Sequence, residues 1–155
     1  MSRILNCLLI LSLLLTTSAC STKKPPDQTA VRSKNVLSVL KALNASYENK
    51  DHHAFMSDVS DSFRDREAFA KALSAVFTKY ETIHLNMQYT KMLILIEAKG
   101  PIKISFNWDG EWISAGKLTQ KNGGRVTFVL DPGSFKLQSI DGKNPFIPAE
   151  TMGKQ

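Results

Sequence analysis

The sequence predicts an α+β domain in which helices come first and pack on one face of an antiparallel sheet. Two observations carry this. Up to about residue 80, apolar residues recur at three- and four-residue steps, the period of a helix buried on one side. After Glu81 they alternate with polar residues, the period of a strand with one wet face. Helices followed by a meander of strands place the helices together on one side of the sheet.

The elements follow in order. Val36, Val39, Leu40, Leu43 and Tyr47 form one apolar stripe, and Ser33 or Asn35 is placed to cap that helix. Asp51 opens a shorter helix with Phe55, Met56 and Val59. Asp65 is the expected N-cap of a third helix carrying Phe69, Leu73, Val76, Phe77 and Tyr80. Ile83, Leu85, Met87 and Tyr89 alternate with His84, Asn86 and Gln88 and predict a half-buried strand. Residues 92–96 are apolar on both sides, which predicts a strand covered on each face. Ile102, Ile104, Phe106 and Trp108 alternate with Lys103, Ser105 and Asn107. Asp109-Gly110 predicts a two-residue hairpin turn into a strand over residues 111–121. Asn122-Gly123-Gly124 predicts a further turn, before Val126, Phe128 and Leu130 resume the alternation. Asp131-Pro132-Gly133-Ser134 predicts the last turn, ahead of a strand over residues 135–140.

The first residues carry a different message. Met1-Ser2-Arg3, an apolar run over residues 4–15 and the small residues Ser18-Ala19 make a secretory signal. The run is shorter than the roughly 20 apolar residues a spanning helix needs. With Cys20 directly after Ser18-Ala19, the segment resembles the lipobox of bacterial lipoproteins, although Thr17 stands where leucine is most common. That resemblance implies cleavage before Cys20 and acylation of this cysteine, against the alternative of general secretion with a cut near Ala19. Several acyl chains on one residue would hold the protein on a membrane where a single chain holds only reversibly. Ser21 after the cysteine, in place of aspartate, implies the outer membrane facing the periplasm if the envelope is Gram-negative. The expected organisation is a signal peptide over residues 1–19, a lipidated cysteine and tether over 20–30, one domain over 31–148 and a tail over 149–155.

Charge and cysteine content narrow the function. The chain has 20 Lys and Arg against 14 Asp and Glu, but the basic residues are scattered and form no run. This fits a solvated surface near anionic envelope polymers and argues against a nucleic-acid partner. Of the two cysteines, Cys7 leaves with the signal and Cys20 is committed to lipid, so no disulfide is expected.

The order of elements resembles the nuclear transport factor 2-like superfamily, which includes SnoaL-like polyketide cyclases and ketosteroid isomerases. The stretches that carry the resemblance are Leu43-Asn44-Ala45-Ser46-Tyr47-Glu48-Asn49-Lys50-Asp51 with Phe55, residues 69–77, and the sheet. The ending Phe135-Lys136-Leu137-Gln138-Ser139-Ile140-Asp141-Gly142 followed by Asn144-Pro145-Phe146 is also similar. The resemblance implies a cone whose curved sheet wraps a long helix, often around an apolar cavity. The family's hairpin between the second and third helices has no counterpart, since only residues 57–64 separate them. Such a fold does not decide function.

Candidate chemistry is sparse. Enzymes of the superfamily present an acid or histidine inside the cone, and the candidates are His84, Asp58, Asp61 and the pair His52-His53. His84 belongs to the polar side of its strand and is expected to face solvent. Neighbouring His52 and His53 point to different sides of a helix and lack a third ligand. Asp58, Asp61 and Asp65 lack the spacing of a calcium loop. No nucleophile elbow or phosphate loop occurs, so no catalytic residue, metal or cofactor is expected. Trp108 and Trp112 flank Asp109-Gly110 and are expected as cross-strand neighbours. They either close one end of the core or form an aromatic rim on a pocket mouth or a partner patch, and Tyr89, Trp108 and Trp112 are the candidate ligand or partner contacts. The function expected from the sequence is a lipid-anchored, non-catalytic envelope protein that binds a partner protein or envelope component. The alternatives are a carrier of a small apolar ligand in the cone or, less favoured, a cyclase- or isomerase-like enzyme.

Overall fold

The computed structural model describes residues 28–96 and 100–148. The expectations for the signal peptide, Cys20, most of the tether and the tail over residues 149–155 lie outside the described residues. Among the described residues three helices precede five strands: α1 (Gln28–Glu48), α2 (His52–Ser57), α3 (Arg66–Lys79), β1 (Tyr80–Met87), β2 (Leu93–Ile96), β3 (Ile102–Ser114), β4 (Thr119–Leu130) and β5 (Leu137–Gly142), with a short 3-10 turn at Tyr89–Lys91 before β2. The sheet is antiparallel, in the order β1-β3-β4-β5. β4 runs along one side of β3, while β1 and β2 share its other side. The predicted α+β class is the observed one.

Helix α1 starts at Gln28, so Ser33 and Asn35 lie inside it and cap nothing. Nothing between Gln28 and Val36 breaks a helix, and Gln28, Ala30, Arg32 and Lys34 all favour one. Its stripe is as expected: Val36, Leu40, Leu43 and Tyr47 are fully buried, with Val39 beside them. Asp51 caps α2, its carboxylate accepting from Ala54 N at 2.9 Å. Asp65 occupies the N-cap position of α3, but its backbone is left-handed (φ 54°) and its side chain makes no cap bond. Tyr80 is the first residue of β1, not a helical one; its backbone is already extended and its N–H still bonds Val76 O.

The sheet faces follow the alternation. Ile83, Leu85 and Met87 are buried while His84 and Asn86 are exposed. Ile104 pairs with Phe128 and Phe106 with Val126, which brings all four to the buried face.

The expected turns need correction. β3 continues straight through Asp109-Gly110, and β4 through Asn122-Gly123-Gly124; Asp109 pairs with Gly123 and Gly110 with Asn122. The chain reverses instead over residues 115–118, where Ser114 N donates to Leu118 O at 3.0 Å and Lys117 takes a positive φ of 58°. The glycines serve close approach: a Cβ on Gly110 would sit 2.5 Å from the Trp112 ring, and one on Gly124 2.7 Å from the Lys143 side chain. The Asp131 turn is present, with its carboxylate accepting from Gly133 N and from Ser134 N and Oγ. β5 begins later than expected, at Leu137.

The strand expected to be covered on both faces is covered on one. Leu93 and Leu95 are 64% and 50% exposed, while Ile94 and Ile96 are half-buried. β2 pairs with β3 alone, and its outward row lies opposite Ser105 and Lys103.

Candidate functional site

The concave side of the sheet, closed by α1, is where a pocket would lie, and it is filled. Tyr47 stands at its centre because the three- and four-residue steps of α1 carry the stripe from Val36 to the C-terminal turn. Its ring meets those of Phe77 at 5.6 Å, Phe55 at 6.1 Å and Phe146 at 5.1 Å. Phe146 also packs edge-on against Phe55 at 4.8 Å and tilted against Phe128 at 5.6 Å. Such tilted and edge-to-face rings are favourable packings of aromatic side chains.

Polar groups of Tyr47, Trp108 and Trp112 enter this interior, and each has a partner. Trp112 Nε1 donates to Tyr47 Oη at 2.7 Å, and Tyr47 Oη donates to Phe146 O at 2.9 Å. Trp108 Nε1 donates to Lys143 O at 2.9 Å. Burial holds the Tyr47 hydroxyl well above the ordinary tyrosine range, with the Trp112 bond opposing and Tyr80 adding to the rise. The phenol is therefore a fixed hydrogen-bond donor, not a base. Among the described residues the one buried polar or charged residue outside the aromatic and aliphatic core is Ser46.

Of the two readings of the tryptophans, their burial fits closure of the core and not a rim. Trp108 and Trp112 are 2% and 0% exposed, lie four residues apart on one continuous strand, and meet at a ring distance of 6.3 Å. With no turn at Asp109-Gly110, they share the inward face instead of facing each other across a hairpin. Tyr89 lies apart from them, half-buried in the 3-10 turn, its hydroxyl raised first by burial and then by the Glu48 carboxylate.

The remaining candidates are scattered. His84 is exposed, in the cross-strand row His84, Glu111 and Lys121, where Lys121 pairs with Glu111 at 3.4 Å. His52 Nε2 lies 3.1 Å from Ala70 O, and His53 is exposed. Asp58 is half-buried; burial raises its carboxyl and Lys136 opposes this. Asp61 sits 3.7 Å from Arg66 Nε at the surface. Among the described residues no three His, Cys, Asp or Glu side chains gather as metal ligands, and no helix is long and apolar enough to cross a membrane.

Sequence reasoning missed three contributors. Glu48 Oε1 accepts from Leu85 N at 2.7 Å, tying the end of α1 to the edge of β1. Lys143 and Phe146 supply the carbonyls that satisfy Trp108 and Tyr47. A signal for the last two existed in Pro145-Phe146-Ile147-Pro148, an apolar run after the final strand with no helical or strand period. Away from the core, a surface groove of about 640 Å³ runs between Phe63, Arg64 and Asp65 on one side and Ser139 and Asp141 on the other.

The architecture, a curved antiparallel sheet closing on a long helix, is the nuclear transport factor 2-like cone fold. A superfamily member from Salmonella enterica serovar Typhimurium aligns with a TM-score of 0.61 at 10% identity, over 76% of this chain and 93% of that one. PrhC from Penicillium brasilianum aligns at 0.59 and 10% identity, over 70% and 79%. Aln2 from a Streptomyces species aligns at 0.53 and 15% identity, over 76% and 91%. No family model and no curated protein matches the sequence.

Proposed function

We propose that this chain is a lipid-anchored, non-catalytic envelope protein that binds a partner protein or envelope component. The filled interior carries the non-catalytic part of this reading. The concave side of the fold is occupied by Tyr47, Phe55, Phe128, Phe146 and the two tryptophans, and its polar groups are spent on one another and on backbone carbonyls. A carrier or an isomerase needs room there, and an isomerase also needs a group that moves a proton. Neither requirement fits this packing. The anchor rests on the signal and on Cys20, whose resemblance to a lipobox motivates it.

The test is made on full-length protein in a bacterial host. Wild-type chain is expected in the membrane fraction with acyl label on Cys20, and Cys20→Ala is expected to lose both the label and cleavage by the lipoprotein peptidase. Unchanged processing and membrane retention in the variant would falsify the anchor. Native mass spectrometry of the protein released from its own envelope addresses binding. A co-purifying protein or polymer supports the reading, and a stoichiometric small apolar ligand overturns it in favour of the carrier.

A further inference from the structure

Residues 143–148 leave the sheet and enter the cone, and they are held there as a bound peptide would be. The chain turns off β5 at Gly142, whose φ of +93° is open to glycine alone, with the site for a Cβ 3.0 Å from Arg125 O. Lys143 N makes one last backbone bond, to Arg125 O at 3.1 Å. From there the contacts are made by side chains. Trp108 Nε1 donates to the carbonyl of residue 143 and Tyr47 Oη to that of residue 146. Phe146 N donates to Asn144 Oδ1 at 2.9 Å, which fixes the bend that presents the ring. Lys143 lays its stem over Gly124 and donates from Nζ to Gly123 O at 2.7 Å. Phe146 fills a slot walled by Tyr47, Phe55 and Phe128 and is fully buried, with Pro145, Ile147 and Pro148 buried around it. An aromatic anchor in a pocket, flanked by carbonyls that meet fixed donors, is a recognition geometry.

We propose that the interior of the cone is a peptide-binding site, occupied in this chain by its own residues 143–148 and open to exchange with a separate peptide of the same chemistry. The ligand class is a bent segment with one buried aromatic side chain and two backbone carbonyls three residues apart, one for Trp108 and one for Tyr47. The glycine at position 142 is the hinge on which the internal occupant leaves. The site is independent of the membrane anchor, since every contact lies within the domain.

Two measurements test it. Native-state hydrogen exchange on the wild-type chain is expected to show the amides of Lys143 and Phe146 exchanging at least about tenfold faster than the β3–β4 ladder amides, through a local opening that leaves the sheet intact. A fluorescent peptide of the sequence Lys143-Asn144-Pro145-Phe146-Ile147-Pro148 is then titrated into full-length chain carrying Phe146→Ala. Saturable binding, at least about tenfold tighter than to wild type where the internal segment competes, is expected. The same peptide carrying Phe146→Ala is expected not to bind. If the variant chain is unfolded by circular dichroism, the peptide is expected to restore its fold. Exchange of the two amides only at the rate of the β3–β4 ladder overturns the proposal, as does a peptide that neither binds the folded variant nor refolds an unfolded one.

Discussion

Trp112 and Tyr47, 65 residues apart, are joined by an indole-to-phenol hydrogen bond of 2.7 Å inside the cone. The phenol in turn donates a hydrogen bond to the carbonyl of Phe146, so one oxygen serves both a donor and an acceptor that water cannot reach. Tyr47→Phe removes that oxygen, leaves both groups unpaired and preserves the ring packing. A buried group left unpaired costs about 1–3 kcal/mol. Urea denaturation should show a loss in this range, and an unchanged midpoint would mean that water replaces the hydroxyl.

Trp112→Ala is expected to destabilise as strongly as Phe128→Ala. Both side chains are fully buried, and truncating a buried Phe or Trp costs ~3–5 kcal/mol. Thermal and urea denaturation of the two variants in parallel settle it. A small shift for Trp112→Ala alone would place this ring outside the core and restore it as a contact residue.

Acid should weaken the loop before β5. Hydrogen bonds from Ser134 N, Ser134 Oγ and Gly133 N hold the Asp131 carboxyl below the usual carboxylate range, burial opposing weakly. A folded-state pKa below the unfolded one contributes stability that is present above the unfolded pKa and is lost as pH falls through the folded one. Asp58, raised by burial, contributes with the opposite sign, so the two must be separated by single variants. Asp131→Ala should flatten the acid limb of stability against pH relative to wild type, read as denaturation midpoints from neutral pH to below the carboxylate range. An unchanged acid limb refutes the assignment.

Leu93 is the counter-case to the core. At 64% exposure on an edge strand it has little burial to lose. Leu93→Lys is expected to leave stability within about 0.5 kcal/mol of wild type and to reduce self-association at high concentration, since charge on an edge strand blunts edge-to-edge pairing. Light scattering and a melting curve report both effects. A loss comparable to that of Phe128→Ala would show that the outer face of β2 is covered.

The faces of the sheet were legible because one side is buried. Ile102, Ile104, Phe106 and Trp108 alternate with polar neighbours, and a slip of one residue would turn all four to water. The helices were legible for the same reason, through Leu40, Leu43 and Tyr47 and through Phe69, Leu73 and Val76. The turns were misread because glycine has two uses. At Gly110 it makes room for the Trp112 ring and at Gly124 for Lys143, and neither need is visible before the partners, two and nineteen positions further on, are placed in space. The real reversal at residues 115–118 takes its positive φ at Lys117, beside Gly116, a weaker turn signal than Asp109-Gly110 or Asn122-Gly123-Gly124. The half-exposed β2 looked buried because an apolar run does not record how many neighbours a strand has. For the site, the aromatic residues were found and their direction was not. That direction depends on the carbonyls of residues 143 and 146, and backbone groups leave no trace in side-chain pattern.

The contact between Tyr47 and the carbonyl of Phe146 spans 99 positions of the chain. A polypeptide that has already made α1 and the sheet through residue 142 lacks Phe146 at the centre of its core, with the Tyr47 hydroxyl bonded to Trp112 alone and the Trp108 indole without its carbonyl. Docking of the last segment is therefore the step that closes the core. Long-range closures of this kind are slow to form, so the burial of Phe146 among Tyr47, Phe55 and Phe128 comes late in folding.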